Sequence, residues 1–370
     1  MIVIILFSFA VNMDNDYHVL KSGNSTGGNA MKNKFTKTVL CAAFATASAG
    51  AAFADEVNIY SYRQPDLIAP LLEAFTEKTG VETNVLFLDK GLVERIKAEG
   101  ENSPADVILT VDISRLGNAK DEGVTEAVDS ETINATIPAQ YRDPEGHWFG
   151  VTTRGRVVYA SKDRVAQDAI TYEELADPKW KGKICIRSGQ HIYNIGLIAS
   201  MIAHHGEAET EEWLKGVKDN LARKPTGNDR AQAKDIHAGE CDLGVGNTYY
   251  VGLMMTNEKE PEQKEWAESI KVLFPNSADR GSHVNISGMA LAKNAPNKEQ
   301  AIQLMEFLAS PEGQKIYAEQ VFEYPVAEGA EPSDIVKSFG DIKPDTLPLA
   351  EIASHRKAAS ELVDKVGFDN

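Results

Sequence analysis

The chain has 370 residues, a quarter of them charged and 42% hydrophobic, and a formal net charge of −17. That length suits roughly two domains of ~150 residues each. The acidic balance excludes nucleic acid and anionic membrane as partners, because both repel it.

Residues 1–30 begin with a short apolar run and turn polar and Gly/Ser-rich, as an upstream extension outside the fold. Met31 is followed by Lys32, Lys34 and Lys37, an apolar stretch from Val39 to Phe53, and Ala52-Phe53-Ala54 before Asp55. This reads as a secretory signal peptide over 31–54, cleaved after Ala54. Its apolar stretch is too short for a membrane span, and no later run is long enough for one. Four lysines against two aspartates leave residues 1–54 at +2 and the remainder at −19. The expected product is an exported protein of the periplasm, where disulfides persist.

The remaining chain opens with a strand at Val57–Tyr60, then a helix from Pro65 with Leu67, Ile68, Leu71, Leu72 and Phe75 on one face. Strand Val85–Leu88, helix Leu92–Glu99, strand Ala105–Thr110 and helix Ile113–Glu122 follow. This βαβαβα order predicts a parallel sheet with right-handed crossovers. A long β-branched strand runs through Thr152–Ala160, interrupted by Arg154 and Arg156. A second unit holds a strand around Cys185, helices Tyr193–Gly206, Glu209–Leu221 and Asp229–Ala238, and a strand Cys241–Val245. Strands Ile270–Phe274 and Val284–Leu291 and an amphipathic helix Pro296–Ser310 complete the pattern, before a tail of turns and short helices. No internal repeat, phosphate loop, GxGxxG or zinc spacing occurs.

Only Cys185 and Cys241 remain after cleavage, and an even count in an oxidising compartment predicts a bridge between them. The alternative is two buried thiols. A bridge makes their strands neighbours. Tyr193 lies eight residues after Cys185, and Tyr249 eight after Cys241, with Tyr250 beside it. If the strands run parallel, the tyrosines emerge at one sheet edge, where ligands bind in open α/β sheets.

Three phenols suit a particular ligand. A free tyrosine titrates near 10, but a small highly charged cation lowers that strongly. Hard oxygen donors select hard ions, so phenolates without a nearby His or Cys favour Fe³⁺ over Zn²⁺ or Cu⁺. Adjacent tyrosines are also ordinary core or interface residues, and the pattern alone leaves that open. Arg63 follows the first strand at its carboxyl end and Arg154 lies in the long strand. Their forks fit a planar oxyanion such as carbonate, with Gln64 donating as well. Arg63 paired with a carboxylate is the competing reading. His191, His204, His205, His237 and His283 show no ligand spacing.

Asn58-Ile59-Tyr60-Ser61-Tyr62-Arg63, Ala105-Asp106-Val107, Asp177-Pro178-Lys179-Trp180-Lys181-Gly182-Lys183, Ile192-Tyr193-Asn194, Gly246-Asn247-Thr248-Tyr249-Tyr250 and Ser310-Pro311-Glu312-Gly313-Gln314 resemble the periplasmic ferric-ion-binding proteins of ABC importers. The likeness covers nearly the whole mature chain, and the two tyrosine motifs are its most specific part. It implies the type II periplasmic binding fold, two α/β lobes with a hinge of crossing β-strands. It implies Fe³⁺ held by the phenolates of Tyr193, Tyr249 and Tyr250, and delivery to an ABC permease and its ATPase. Many relatives carry His-Tyr where this chain has Gln64-Pro65, so it is similar to the three-tyrosine subgroup, which adds a carbonate near the arginine. Lobe 1 is then expected at 55–153 and 282–328, and lobe 2 at 154–281 and 329–370, joined near Val151–Tyr159 and Val284–Leu291. The expected protein is a monomeric solute carrier and not an enzyme; no paired carboxylates or nucleophile–base arrangement is present. A carrier of an organic solute such as a polyamine or phosphonate is the alternative.

Overall fold

The computed structural model describes residues 55–370, so the expected extension and signal peptide lie outside the described residues. Strand β1 (Glu56–Ser61) leads to α1 (Pro65–Thr79), β2 (Glu82–Phe87), α2 (Leu92–Glu99), β3 (Val107–Thr110) and α3 (Ile113–Asp121). Helix α1 starts with Pro65 in its first turn, buries Ile68, Leu71, Leu72 and Phe75, and stops at Gly80, whose φ of 76° is left-handed. β1 pairs in parallel with both β2 and β3, as the βαβαβα reading expected.

Two short elements, β4 (Thr125–Glu126) and α4 (Glu131–Thr136), precede β5 (Phe149–Ser161), a strand of 13 residues buried throughout. Then come β6 (Ile184–Cys185), α5 (Ile192–Asp219), α6 (Asp229–His237), β7 (Leu243–Asn247), α7 (Tyr249–Met255), α8 (Glu262–Glu268) and β8 (Ile270–Leu273). Within α5, Gly206 adopts φ 78° and ψ 168°, which divides the run where two separate helices were expected. The end of the chain supplies β9 (Val284–Ala292), α9 (Lys298–Ala309), α10 (Pro311–Val321), β10 (Tyr324–Pro325), α11 (Asp334–Lys337), α12 (Leu349–Ser354) and α13 (Arg356–Val366). No helix among the described residues is long and apolar enough to cross a membrane.

The strands line up as β2-β1-β3-β9-β5-β7-β6. β5 serves both halves of this sheet. Its first part pairs with β9 down to Gly155↔Val284, and its second part pairs with β7 from Arg156↔Asn247 and with β8. Among the described residues β9 pairs only with β3, β4 and the first part of β5. The second crossing is therefore the segment entering β9, where the Arg156 N–H donates to the His283 carbonyl (2.9 Å), and not Val284–Leu291 itself. Each half has its own apolar core, one around Phe75, Leu304 and Phe307, the other around Trp180, Leu214 and Phe368. The tail does not stay with one half: α12 packs on both α3 and α5.

β6 and β7 run parallel, with Ile184 opposite Leu243 and Cys185 opposite Gly244. Cys185 and Cys241 are disulfide-bonded, their Cα atoms 5.9 Å apart. The bridge joins positions 56 residues apart, and in the chain-entropy model a loop of that size contributes ~4 kcal/mol.

Candidate metal centre

The parallel, stapled pair β6/β7 decides where the tyrosines go. Each strand ends, the chain turns, and a helix begins with a tyrosine: Tyr193 is the second residue of α5 and Tyr249 the first of α7. His191 caps α5, its Nδ1 accepting from the Tyr193 N–H at 3.2 Å. The Tyr193 and Tyr249 hydroxyls lie 3.1 Å apart. The Tyr249 and Tyr250 rings stack at 4.2 Å between centroids, tilted by 31°. All three border one cleft of about 300 Å³. Its other wall is built by Tyr62, Arg63, Gln64 and Asp112 at the carboxyl ends of β1 and β3.

Arg63 is only 5% exposed. Its Nη2 donates to Glu323 (2.8 Å) and Ser287 (2.7 Å), and its Nε to the Tyr317 hydroxyl (3.0 Å). Glu323 also accepts from Thr152 (2.5 Å) and from Ser287 (2.7 Å). Burial would lower the Arg63 pKa, but Tyr317 and Glu323 more than offset it and keep the guanidinium charged. Burial would likewise raise Glu323, yet Arg63 and Arg154 hold it below the usual carboxylate range. The carboxylate reading of Arg63 is thus realised while the residue still lines the cleft. Gln64, before α1, is exposed at the cleft rim. Arg154 does not line this cleft. Its guanidinium stands 5.6 Å from the Tyr193 ring centroid, donates to the Val111 carbonyl, and borders a separate void.

Burial pushes the Tyr249 phenol well above its ordinary value, and the neighbouring Tyr193 and Tyr250 add to the rise. Burial also pushes Tyr250 up to about 12, with Tyr193 the next cause. Without a cation these two phenols are neutral at pH 7. Positive charge surrounds them: Arg187 lies 5.3 Å from the Tyr193 ring and Arg230 lies 5.2 Å from the Tyr250 ring. Among the described residues no cluster of three or more His, Cys, Asp or Glu side chains could hold a metal. The hard phenol oxygens are the donor set that fits one, and they fit a trivalent ion better than a soft one.

Sequence reasoning missed several neighbours. His191 borders the cleft, its ring 4.6 Å from that of Tyr193; burial and Arg187 lower its pKa to about 4. Its position two residues before Tyr193, at a helix start, was the available signal. Glu323 lies 260 residues from Arg63 and had no local signal. Nor did Phe322, whose ring would lie 2.4 Å from a Cβ placed on Gly252 in α7. Phe322 itself has φ 54°, a left-handed conformation that non-glycine residues rarely adopt.

Comparison with known proteins follows the same lines. A family model described as bacterial extracellular solute-binding protein matches residues 102–339. Iron uptake protein A1 of Synechocystis sp. is 43% identical over 316 residues, covering 85% of this chain and 87% of that protein. The solved Bordetella ferric binding protein superposes with a TM-score of 0.81 at 52% identity, covering 85% of this chain and all of that one. A Trichodesmium structure in complex with iron and citrate ligands gives 0.80 at 46% identity, over 85% and 99%. The fold is that of the type II periplasmic binding proteins, as expected. With a mixed sheet shared by two halves, a cleft at its strand ends and these likenesses, the chain belongs to the bacterial extracellular solute-binding protein family.

Proposed function

We propose that this protein captures ferric iron in the cleft through the phenolates of Tyr193, Tyr249 and Tyr250. The observation that carries this reading is the convergence of three phenols on one cleft, two of their oxygens 3.1 Å apart. Three phenolates neutralise Fe³⁺, so the ion replaces the lost protons without leaving net charge buried. A small synergistic anion, carbonate in the simplest case, completes the coordination beside Arg63 and Gln64, while Arg154 adds positive charge near Tyr193. The lobes, 55–153 with 282–328 and 154–281, with the tail 329–370 packed on both, close over the ion because it binds the closed arrangement better. A periplasmic carrier of this kind hands its cargo to an ABC permease driven by an ATPase. Names such as iron uptake protein and ferric binding protein among the relatives support the same reading.

A polyamine carrier needs carboxylates free to meet ammonium groups. Here the cleft carries three guanidiniums, Arg63, Arg115 and Arg230, against two carboxylates, Asp89 and Asp112. Asp89 is exposed at the rim, and Asp112 is engaged by Asn285 (2.7 Å) and by the Ser114 N–H (2.9 Å). The test is a titration of metal-free protein with ferric citrate. The expected result is a visible phenolate-to-iron band, abolished in Tyr249→Phe together with at least ~100-fold of affinity, the upper range for residues one shell further out. Unchanged colour and affinity in that variant would overturn the assignment.

A further inference from the structure

A second, much smaller void adjoins Tyr193, the one residue it shares with the cleft. It measures about 10 Å³ and is lined by Arg154, Arg156, Tyr193, Asn247, His283 and Asn285, room for one water-sized body. Three polar atoms of this lining are buried without any partner: Arg156 Nε, Asn247 Nδ2 and His283 Nδ1. Their residues are 2%, 3% and 3% exposed. Buried polar groups left in this state are costly, and each calls for an explanation.

The kind of atom that is missing follows from what is left over. Arg156 Nε and Asn247 Nδ2 can only donate. The acceptors around them are already used. Asn247 Oδ1 takes a hydrogen from Arg156 Nη1 (3.1 Å). Asn285 Oδ1 takes those of the Ile113 and Ile286 amides (3.0 and 2.8 Å). The Tyr193 hydroxyl faces Tyr249. A water in the void would satisfy the donors, but its own two hydrogens would find at most the His283 ring nitrogen. An anion needs donors alone.

The charge balance points the same way. Asp229 pairs with Arg156 (2.7 Å) and with Arg187 (2.9 Å), one carboxylate for two guanidiniums. Arg154, 2% exposed, makes no ion pair among the described residues. It has only the Val111 carbonyl and a long contact of 3.5 Å to the Ser287 hydroxyl. Glu323 and Asp112 act on it from a distance, but Glu323 is already paired with Arg63, and a buried guanidinium that only shares a carboxylate is expensive to keep.

We propose that this void binds one monatomic anion, chloride or a similar halide, as a structural counter-ion for Arg154 and Arg156. It is separate from the cleft and too small for a polyatomic anion such as carbonate. The site does not depend on iron, so its test uses metal-free protein and bromide alone. Crystals grown without chloride and soaked in sodium bromide should give an anomalous peak between Arg156, Asn247 and His283. Bromide found only beside Arg63 in the cleft, or a water in the void, overturns the proposal. In solution, replacing chloride by gluconate at equal ionic strength should lower the melting midpoint by about 2 °C. Asn247→Asp places a carboxylate oxygen where the amide donor stands and should abolish that dependence. Equal midpoints for the unaltered protein in both salts, or an unchanged salt effect in the variant, also count against it. Should ferric iron fail to bind, the bromide result stands on its own.

Discussion

On one wall of the cleft the charge is already settled. Arg63 is locked to Glu323, Ser287 and Tyr317, and each member of the Arg63–Glu323 pair favours the charged form of the other. On the other wall Tyr249 and Tyr250 are neutral, stacked and held protonated by burial. On the proposed reading, the first wall needs no chemistry to receive an anion, because its guanidinium is already charged. The second must give up protons before it can grip a cation. The difference teaches that the cost of loading falls on one side only, and that the cation itself must supply the driving force there.

The comparison can be broken or sharpened in four ways. Removing the pre-set charge should have the largest effect. Glu323→Ala leaves the Arg63 guanidinium buried and unpaired, and should cost about 3–5 kcal/mol in chemical denaturation. A loss below about 1 kcal/mol would mean that this wall is not held by the ion pair. The tyrosine wall depends instead on the staple between β6 and β7. Cys185→Ser with Cys241→Ser should lose about 2–4 kcal/mol of unfolding free energy, and ferric affinity should fall alongside.

Acid separates the two walls directly. On the proposed reading, the raised Tyr249 and Tyr250 phenols keep their protons in the metal-free protein and release them on iron binding, so affinity should fall as pH falls. These two alone set a slope of ~100-fold per pH unit, once the chelator's own titration is subtracted. A slope below ~10-fold would show that the phenols are not the group that ionises. The smallest effect should come from the contact that joins the walls. Gly252→Ala drives a methyl into the Phe322 ring, and should cost about 1–3 kcal/mol of stability. It should also shift the phenolate-to-iron band, because α7 carries both Tyr249 and Tyr250.

Much of this arrangement is legible in the sequence. The element order follows from apolar period and turn residues, and the helix Leu92–Glu99 is found with the same ends. The equal eight-residue offset from each cysteine to its tyrosine points to one sheet edge, but the strands pair three residues out of that register, with Cys185 opposite Gly244. The two hydroxyls meet because each strand ends in a turn and a helix start of different length. What escaped were partners supplied by distant chain. Strand alternation puts Arg154 and Arg156 on the same face of β5, but nothing local says that this face is covered by Tyr193 and His283 and not open to the cleft. Glu323 sits in a tail segment whose own pattern gives no hint of Arg63. The helix Glu262–Glu268 went unread because its seven residues bury only Gln263 and Ala267, too little apolar periodicity to stand out.

Within β5, the last residue pairing with β9 is Gly155 and the first pairing with β7 is Arg156. A single peptide link therefore separates the two ladders. Swinging one wall toward the other can be absorbed by a few dihedral angles there without unzipping either set of rungs. What a swing would have to disturb instead lies outside that strand, at the packing of α12 on both α3 and α5.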